Sequence, residues 1–203
     1  SAQRVESPTG TLALTFQLTP DGQPTYAVSY KNKPVVLSSA LGVSLKDKTA
    51  LVNHFEVTGT TTHAVNETWK PVLGEQAQIV NHYNELIVAL VQKDSKVKLN
   101  LVFRAFDEGV AFRYDFPKQE NLNYFIISDE KTEFNLTENN KVLWIPGDFD
   151  SNEYVYNETK FSEIDNEKLN LNNGIGVKSI PGKYTVQTPL QMKSPSGLYL
   201  NMF

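Results

Sequence analysis

The sequence of 203 residues contains no cysteine, which excludes disulfide bonds, thiolate metal ligands and a cysteine nucleophile. It also lacks a basic surplus, because 19 lysine and arginine residues stand against 23 acidic residues and give a net charge of -4. A nucleic-acid binder usually needs the opposite balance to neutralise phosphates, so we expect no nucleic-acid partner. No apolar run approaches the length of a membrane-spanning helix, and we expect no membrane span.

Helical periodicity is nearly absent as well. The best candidate helix, residues 160–170, has no clean apolar stripe. Short runs of alternating apolar and polar residues take its place, for example at residues 11–18 and 97–104, and turn residues such as Asp21 and Gly22 separate them. These features predict an all-β fold: a large antiparallel two-sheet β-sandwich that forms a single domain over residues 1–203.

One hairpin is predicted in detail around residues 107–109. The sequence Asp-Glu-Gly between two alternating runs is typical of a bulged hairpin turn, with Gly109 in the left-handed conformation. In such a turn the Asp107 side chain bonds its own backbone. Arg104 and Arg113 flank the turn at strand positions among apolar residues. We expect both guanidinium groups to be partly buried, to have carboxylate or carbonyl partners, and to be structural.

No pattern of catalytic residues stands out. The histidines His54, His63 and His82 lack the spacing of a metal-binding motif. His82 is predicted to lie in a loop before a strand, where it could act as a general acid or base, but it is better explained as a structural or solvated side chain. Carboxylates lie close together at Asp107 and Glu108, at Asp129 and Glu130, and at Glu153 and Glu158. A glycosidase needs two carboxylates that face each other across a bond, which sequence spacing cannot establish. We therefore expect no catalytic residue and no metal ligand in this chain.

The least regular part of the chain is residues 148–173. Long irregular segments of a domain are usually functional or disordered. The surrounding residues combine aromatic rings, on which sugars stack, with polar groups that hold hydroxyls. The predicted substrate-binding or domain-interface residues are Trp144, Asn152, Glu153 and Tyr154. The alternative is that the rings fill the core of the sandwich, and it applies above all to Trp144.

Three segments resemble the N-terminal domain of glycoside hydrolase family 97: residues 69–75, 81–85 and 103–114. The last of these, Phe-Arg-Ala-Phe-Asp-Glu-Gly-Val-Ala-Phe-Arg-Tyr, is the most specific. Glu133 and Phe134, Trp144, Thr188 and Pro189, and residues 197–200 follow in the order of that family. The resemblance covers nearly the whole chain.

The resemblance implies a β-sandwich of the galactose-mutarotase type, or super-sandwich, in front of a catalytic (β/α)8 barrel. The family members are bacterial α-glucosidases and α-galactosidases, retaining or inverting, with calcium in the active site. We therefore expect the partners to be the barrel of the same polypeptide and an oligosaccharide substrate. We expect a periplasmic or secreted location in a Gram-negative bacterium. The family continues past the position of Phe203 into a segment whose glutamate binds the calcium, so we expect neither that ligand nor the barrel within these residues.

Two other functions stay open at this stage. A free-standing sugar epimerase of the mutarotase type would need a histidine and a carboxylate that converge on one concave face. A carbohydrate-binding module would bind a soluble glucan or galactan without any barrel.

Overall fold

The computed structural model describes residues 2–72, 78–169 and 180–203. The chain divides into two compact units, Ser1–Thr137 and Glu138–Phe203. The strands of the first unit are β1 (Gln3–Glu6), β2 (Leu12–Leu18), β3 (Pro24–Tyr30), β4 (Lys33–Ala40), β5 (Val43–Leu45), β6 (Phe55–Trp69), β7 (Ile79–Gln92), β8 (Lys98–Ala105), β9 (Val110–Asp115) and β10 (Ile127–Glu130). Those of the second unit are β11 (Lys141–Trp144), β12 (Asn157–Lys160), β13 (Leu190–Lys193) and β14 (Tyr199–Met202).

Every strand pairing among the described residues is antiparallel. The best candidate helix, residues 160–170, forms no α-helix as far as residue 169: β12 ends at Lys160, and two 3₁₀ turns follow, Phe161–Glu163 and Asn166–Lys168. The all-β prediction is thus confirmed. No described helix is long and apolar enough to cross a membrane.

The first unit is an antiparallel β-sandwich. One four-stranded sheet has the order β1-β2-β3-β4 and the second has the order β6-β7-β8-β9, while β10 pairs with β5 in a two-stranded sheet. Alternation along β2 turns Leu12, Leu14 and Phe16 inward, and alternation along β8 does the same for Leu99, Leu101 and Phe103. These side chains join one core cluster, in which the rings of Phe16 and Phe103 lie 5.9 Å apart. The predicted sandwich is confirmed, whereas its extent as one domain over residues 1–203 stays a prediction.

The turn between β2 and β3 depends on Gly22. Its φ is +73°, a backbone conformation that residues other than glycine rarely adopt. An added Cβ would lie 2.6 Å from the backbone nitrogen of Phe55, which donates a hydrogen bond to the Gly22 carbonyl. Glycine therefore allows this turn to contact the segment that leads into β6.

The hairpin predicted at residues 107–109 exists, but with a different geometry. Gly109 does not have a positive φ, so the left-handed prediction was wrong. The N–H of Phe106 donates to the carbonyl of Gly109 and closes a four-residue loop that needs no left-handed glycine. Asp107 accepts hydrogen bonds from the backbone N–H and hydroxyl of Thr9, at 3.0 and 2.6 Å, instead of bonding its own backbone. These bonds hold the pKa of Asp107 below its usual value and tie the hairpin to the β1–β2 turn.

The second unit contains one four-stranded sheet with the order β12-β11-β13-β14. One face is packed, because Val142, Trp144, Leu190 and Met192 are all nearly inaccessible to solvent. The other face is exposed along all four strands. Residues 145–156 leave this sheet after β11 and return to it as β12, which positions the segment singled out from sequence.

Candidate functional site

The candidate site is the irregular segment of residues 145–156, and Gln187 holds it in shape. The side-chain amide of Gln187 donates to the carbonyls of Ser151 (2.7 Å) and Pro146 (3.1 Å), and its backbone N–H donates to the carbonyl of Ile145. Gln187 thus holds three backbone carbonyls of the segment, at residues 145, 146 and 151.

Gly147 adds a second attachment. Its N–H donates to the carbonyl of Thr185, and an added Cβ would lie 2.9 Å from the Thr185 side chain. Only a residue without a side chain fits this approach, which explains the glycine after Pro146. The segment is therefore irregular in backbone but fixed at its first half.

Tyr154 is an anchor of the segment. Its ring is 7% exposed, and its hydroxyl donates to Oδ2 of Asp148 at 2.5 Å. Asp148 also accepts from the N–H of Asp150. The hydrogen bond to the carboxylate, together with burial, raises the pKa of Tyr154 to about 12, so the phenol remains a donor at neutral pH. Tyr154 positions the segment and presents little ring surface to solvent.

Trp144 lies in the packed interior of the second unit. It is 1% exposed, and its indole N–H donates to the hydroxyl of Thr159 at 3.1 Å. Strand alternation explains this position, because Trp144 shares the packed face of β11 with Val142. A ring enclosed in this way packs against its neighbours and is not available for stacking on a sugar.

The exposed groups of the segment are different ones. Asn152 and Glu153 are exposed, and the N–H of Glu153 donates to the Ser151 hydroxyl. The rings of Phe149 and Tyr156 are 79% and 62% exposed. Phe149 was missed in the sequence, although an aromatic residue between Asp148 and Asp150 is a recognisable signal because acidic neighbours keep it near solvent. The segment thus combines two accessible rings with an amide and a carboxylate, a set that binds polar ligands with apolar faces.

The arginine predictions have different outcomes. Arg104 donates to Glu85 at 2.7 Å and lies over the ring of Tyr83, at 4.6 Å from its centroid. The predicted carboxylate partner is thus present, and its side chain is only 12% exposed, while the structural role of Arg104 stays a prediction. Arg113 is exposed on β9, so the prediction that it is partly buried was wrong. The two sites differ because Arg104 has Glu85 directly opposite on β7, whereas β9 is the edge strand of the sheet.

The positions of the histidines also differ from what the sequence predicted. His82 lies within β7, not in a loop, and His63 is exposed on β6. His54 lies between two carboxylates: its Nδ1 is 2.5 Å from Asp94, and its Nε2 is 3.4 Å from Asp21. Asp21 belongs to the β2–β3 turn and Asp94 to the β7–β8 turn, so protonated His54 connects turns of both sheets. The contacts, led by the hydrogen bond to Asp94, raise the pKa of His54 above its ordinary value.

We expect this connection to make stability depend on pH. Because the folded pKa of His54 is raised, its stabilisation is complete below about pH 6.5, the ordinary value, and is lost as the pH rises through the folded value. The Tm of the wild type should therefore exceed that of His54→Gln at pH 6, and the difference should shrink by pH 9. Thermal melts across this range measure it. His63→Gln, which removes an exposed histidine on β6, is the control for the loss of a histidine as such. A constant difference for His54→Gln would contradict the assignment.

Metal ligation is not supported by the described residues. Within residues 2–72, 78–169 and 180–203, no group of three or more His, Asp or Glu side chains is placed to hold a metal ion. These residues do not fit the calcium site that the resemblance implies, so calcium stays a prediction about the parent enzyme. Parts of two sequence features, residues 73–75 of the first resembling segment and 170–173 of the irregular stretch, lie outside the described residues.

Comparisons with known proteins match the chain over nearly its full length. A family model described as glycosyl-hydrolase 97 N-terminal matches residues 5–203. A glycoside hydrolase family 97 enzyme in complex with acarbose, from Pseudoalteromonas sp. strain K8, is 30% identical, with a TM-score of 0.81 over 97% of this chain and 27% of that chain. A variant of a family 97 enzyme from the same strain, in complex with panose, is 29% identical, with a TM-score of 0.79 and the same coverage of both chains.

A crystal structure of a β-arabinopyranosidase is 20% identical, with a TM-score of 0.79 over 98% of this chain and 31% of that chain, and it shows a shared fold alone. The chain spans about a quarter to a third of the length of these solved relatives.

Proposed function

The chain belongs to the N-terminal domain family of glycoside hydrolase family 97, and we propose that it is the non-catalytic domain of an α-glucosidase or α-galactosidase. In this proposal the domain packs on the catalytic (β/α)8 barrel of the same polypeptide, and residues 145–156 contribute to the rim of the sugar pocket. The oligosaccharide is the substrate of the parent enzyme. The relative in complex with acarbose, of which this chain covers 27%, supports a role as one part of a larger enzyme.

The observation that carries the proposal is the form of residues 145–156. Gln187 and Tyr154 fix the backbone, while Phe149, Glu153 and Tyr156 remain accessible. A fixed segment with exposed rings and polar groups lowers the entropic cost of contact with a partner surface or a ligand. Function commonly resides on such loops when a rigid scaffold holds them.

Calcium and an extracytoplasmic location are part of the same proposal. We assign the calcium to the active site of the parent enzyme and derive no step through it from the residues described here. A periplasmic or secreted location in a Gram-negative bacterium accords with polysaccharide breakdown outside the cytoplasm.

We expect the purified chain to hydrolyse neither aryl α-glucosides nor aryl α-galactosides. The physical reason is that glycoside hydrolysis needs two carboxylates across the scissile bond, and in this proposal the barrel supplies them. Release of the aryl group measures the reaction, and the parent enzyme is the positive control. Turnover that disappears when a carboxylate within residues 1–203 is replaced would overturn the proposal. Polarimetry on a freshly dissolved sugar tests the mutarotase alternative, because an epimerase would accelerate the change in optical rotation.

A further inference from the structure

The exposed face of the β12-β11-β13-β14 sheet carries three lysines in one row. The strand register places Lys141 directly opposite Lys160 on one side and directly opposite Lys193 on the other. Tyr199 lies opposite Lys193 and extends the row onto β14. The row therefore crosses the whole sheet, and its members come from distant parts of the sequence.

This arrangement carries an electrostatic cost. Like charges directly opposite each other on neighbouring strands destabilise a sheet, because the strands are only about 4.8 Å apart. Glu158 pairs with Lys141 and offsets part of the repulsion. Among the described residues, no carboxylate pairs with Lys160 or Lys193. The face thus has a local positive excess on a chain with a net charge of -4.

Protection of the sheet edges does not explain the row. Lysine on an edge strand discourages pairing with other chains, which accounts for Lys160 on β12. Lys141 and Lys193 lie on β11 and β13, the two central strands, where no edge needs protection. A local rule broken at a stability cost is a common sign of a functional surface.

The neighbouring groups on the same face indicate the kind of ligand. Tyr199 is 68% exposed, and the ammonium group of Lys193 lies 5.0 Å from its ring centroid. A second row, opposite one another on adjacent strands, contains Glu158, Leu143, Gln191 and Asn201, and Glu158 in this row is the carboxylate that pairs with Lys141. The amides offer donors and acceptors for hydroxyls, and the ring offers a flat apolar face.

We propose that this face binds an acidic polysaccharide. The row of Lys141, Lys160 and Lys193 faces the carboxylates of the polymer, Tyr199 stacks on a sugar ring, and the two amides contact hydroxyls. Charge complementarity selects an anion, and the exposed ring with its amides favours a saccharide over an acidic peptide. The site is separate from the barrel contact proposed for residues 145–156, so either proposal can fail without the other.

Binding of polygalacturonate to the chain, measured by isothermal titration calorimetry at physiological salt, tests the proposal. Changing all three lysines, Lys141→Gln, Lys160→Gln and Lys193→Gln, should weaken binding by about tenfold or more, or at least 1.4 kcal/mol. The control triple Lys33→Gln, Lys48→Gln and Lys118→Gln removes the same charge from exposed lysines elsewhere and should retain wild-type affinity. Tyr199→Thr, which keeps a strand-forming residue, should also weaken binding.

Two further measurements make the outcome decisive. The variant with all three lysines of the row replaced should have a Tm no lower than that of the wild type, because the replacements relieve repulsion between the lysines. If this variant does not fold, the single variant Lys160→Gln takes its place in the binding measurement. Fully methyl-esterified polygalacturonate should not bind, because it lacks the carboxylates. No binding of the acid form, equal losses in the two triples, or equally tight binding of poly-glutamate would each overturn the proposal, the last in favour of a protein-binding surface.

Discussion

Replacing Phe103 by alanine is expected to lower the Tm of the chain by about 10 °C. Phe103 is fully buried at the centre of the sandwich, 5.9 Å from the ring of Phe16 on the opposite sheet and 6.4 Å from that of Phe112 on β9. Removing a buried phenylalanine costs about 3–5 kcal/mol, because transfer energy is lost and a cavity remains. In a chain of this size, each kcal/mol corresponds to about 2–4 °C.

Two control variants show whether packing is the cause. Phe103→Leu keeps most of the volume and should lose far less stability than the alanine variant. Phe149→Ala removes a ring that is 79% exposed, so its Tm should stay close to that of the wild type. A similar Tm for Phe103→Ala and Phe149→Ala would contradict the assignment of the core to this pair of sheets.

The strands of the sandwich were predictable where one face is buried. Residues 11–18 and 97–104 show alternation, and they form β2 and β8 within one residue of the predicted ends. The strand pattern of residues 54–59 predicts only the first part of β6, which continues to Trp69 with nearly every residue exposed. An exposed strand needs no apolar alternation, since its backbone pairing with β7 holds it in place. The apolar pattern of the sequence therefore could not predict the exposed part of β6.

Predicting strands from local composition also failed where a segment has no strand to pair with. The composition of residues 132–134 and 183–192 predicts two further strands. Residues 132–134 form none, and residues 183–192 form one only from Leu190. The sequence carries no signal for β12, because Asn-Glu-Thr-Lys contains no apolar residue that could alternate, and β14 is likewise not predicted. Such short segments become strands through partners distant in sequence, which a single sequence does not reveal.

The candidate site was predictable in location but not in the role of each residue. The alternation of Lys141, Val142, Leu143 and Trp144 is enough to place the tryptophan on the same face as Val142. The burial of Tyr154 has no such local signal, and its hydroxyl donates to Asp148, six residues away. The lysine row was unpredictable, because it depends on the register of β12 and β13 against β11.

In the parent enzyme, Glu153→Ala is expected to reduce kcat/KM by about tenfold or more while leaving the Tm unchanged. Glu153 is exposed within a segment that Gln187 and Tyr154 hold in place. Tenfold corresponds to about 1.4 kcal/mol of transition-state binding, which matches the loss of one hydrogen bond from a charged group. Tyr154→Phe removes the donor to Asp148 and should also lower kcat/KM, because the segment loses an attachment.

The comparison of these two variants separates contact from positioning. Glu153→Ala removes only an exposed group, so a kinetic loss without a change in Tm indicates contact with the substrate or with the barrel. Tyr154→Phe alters a nearly buried hydrogen bond, so its kinetic loss should come with a lower Tm. Glu120→Ala, an exposed carboxylate in the first unit, is the matched control and should show wild-type kinetics. Wild-type kinetics in both Glu153→Ala and Tyr154→Phe would remove residues 145–156 from the sugar pocket and leave the domain a structural support for the barrel.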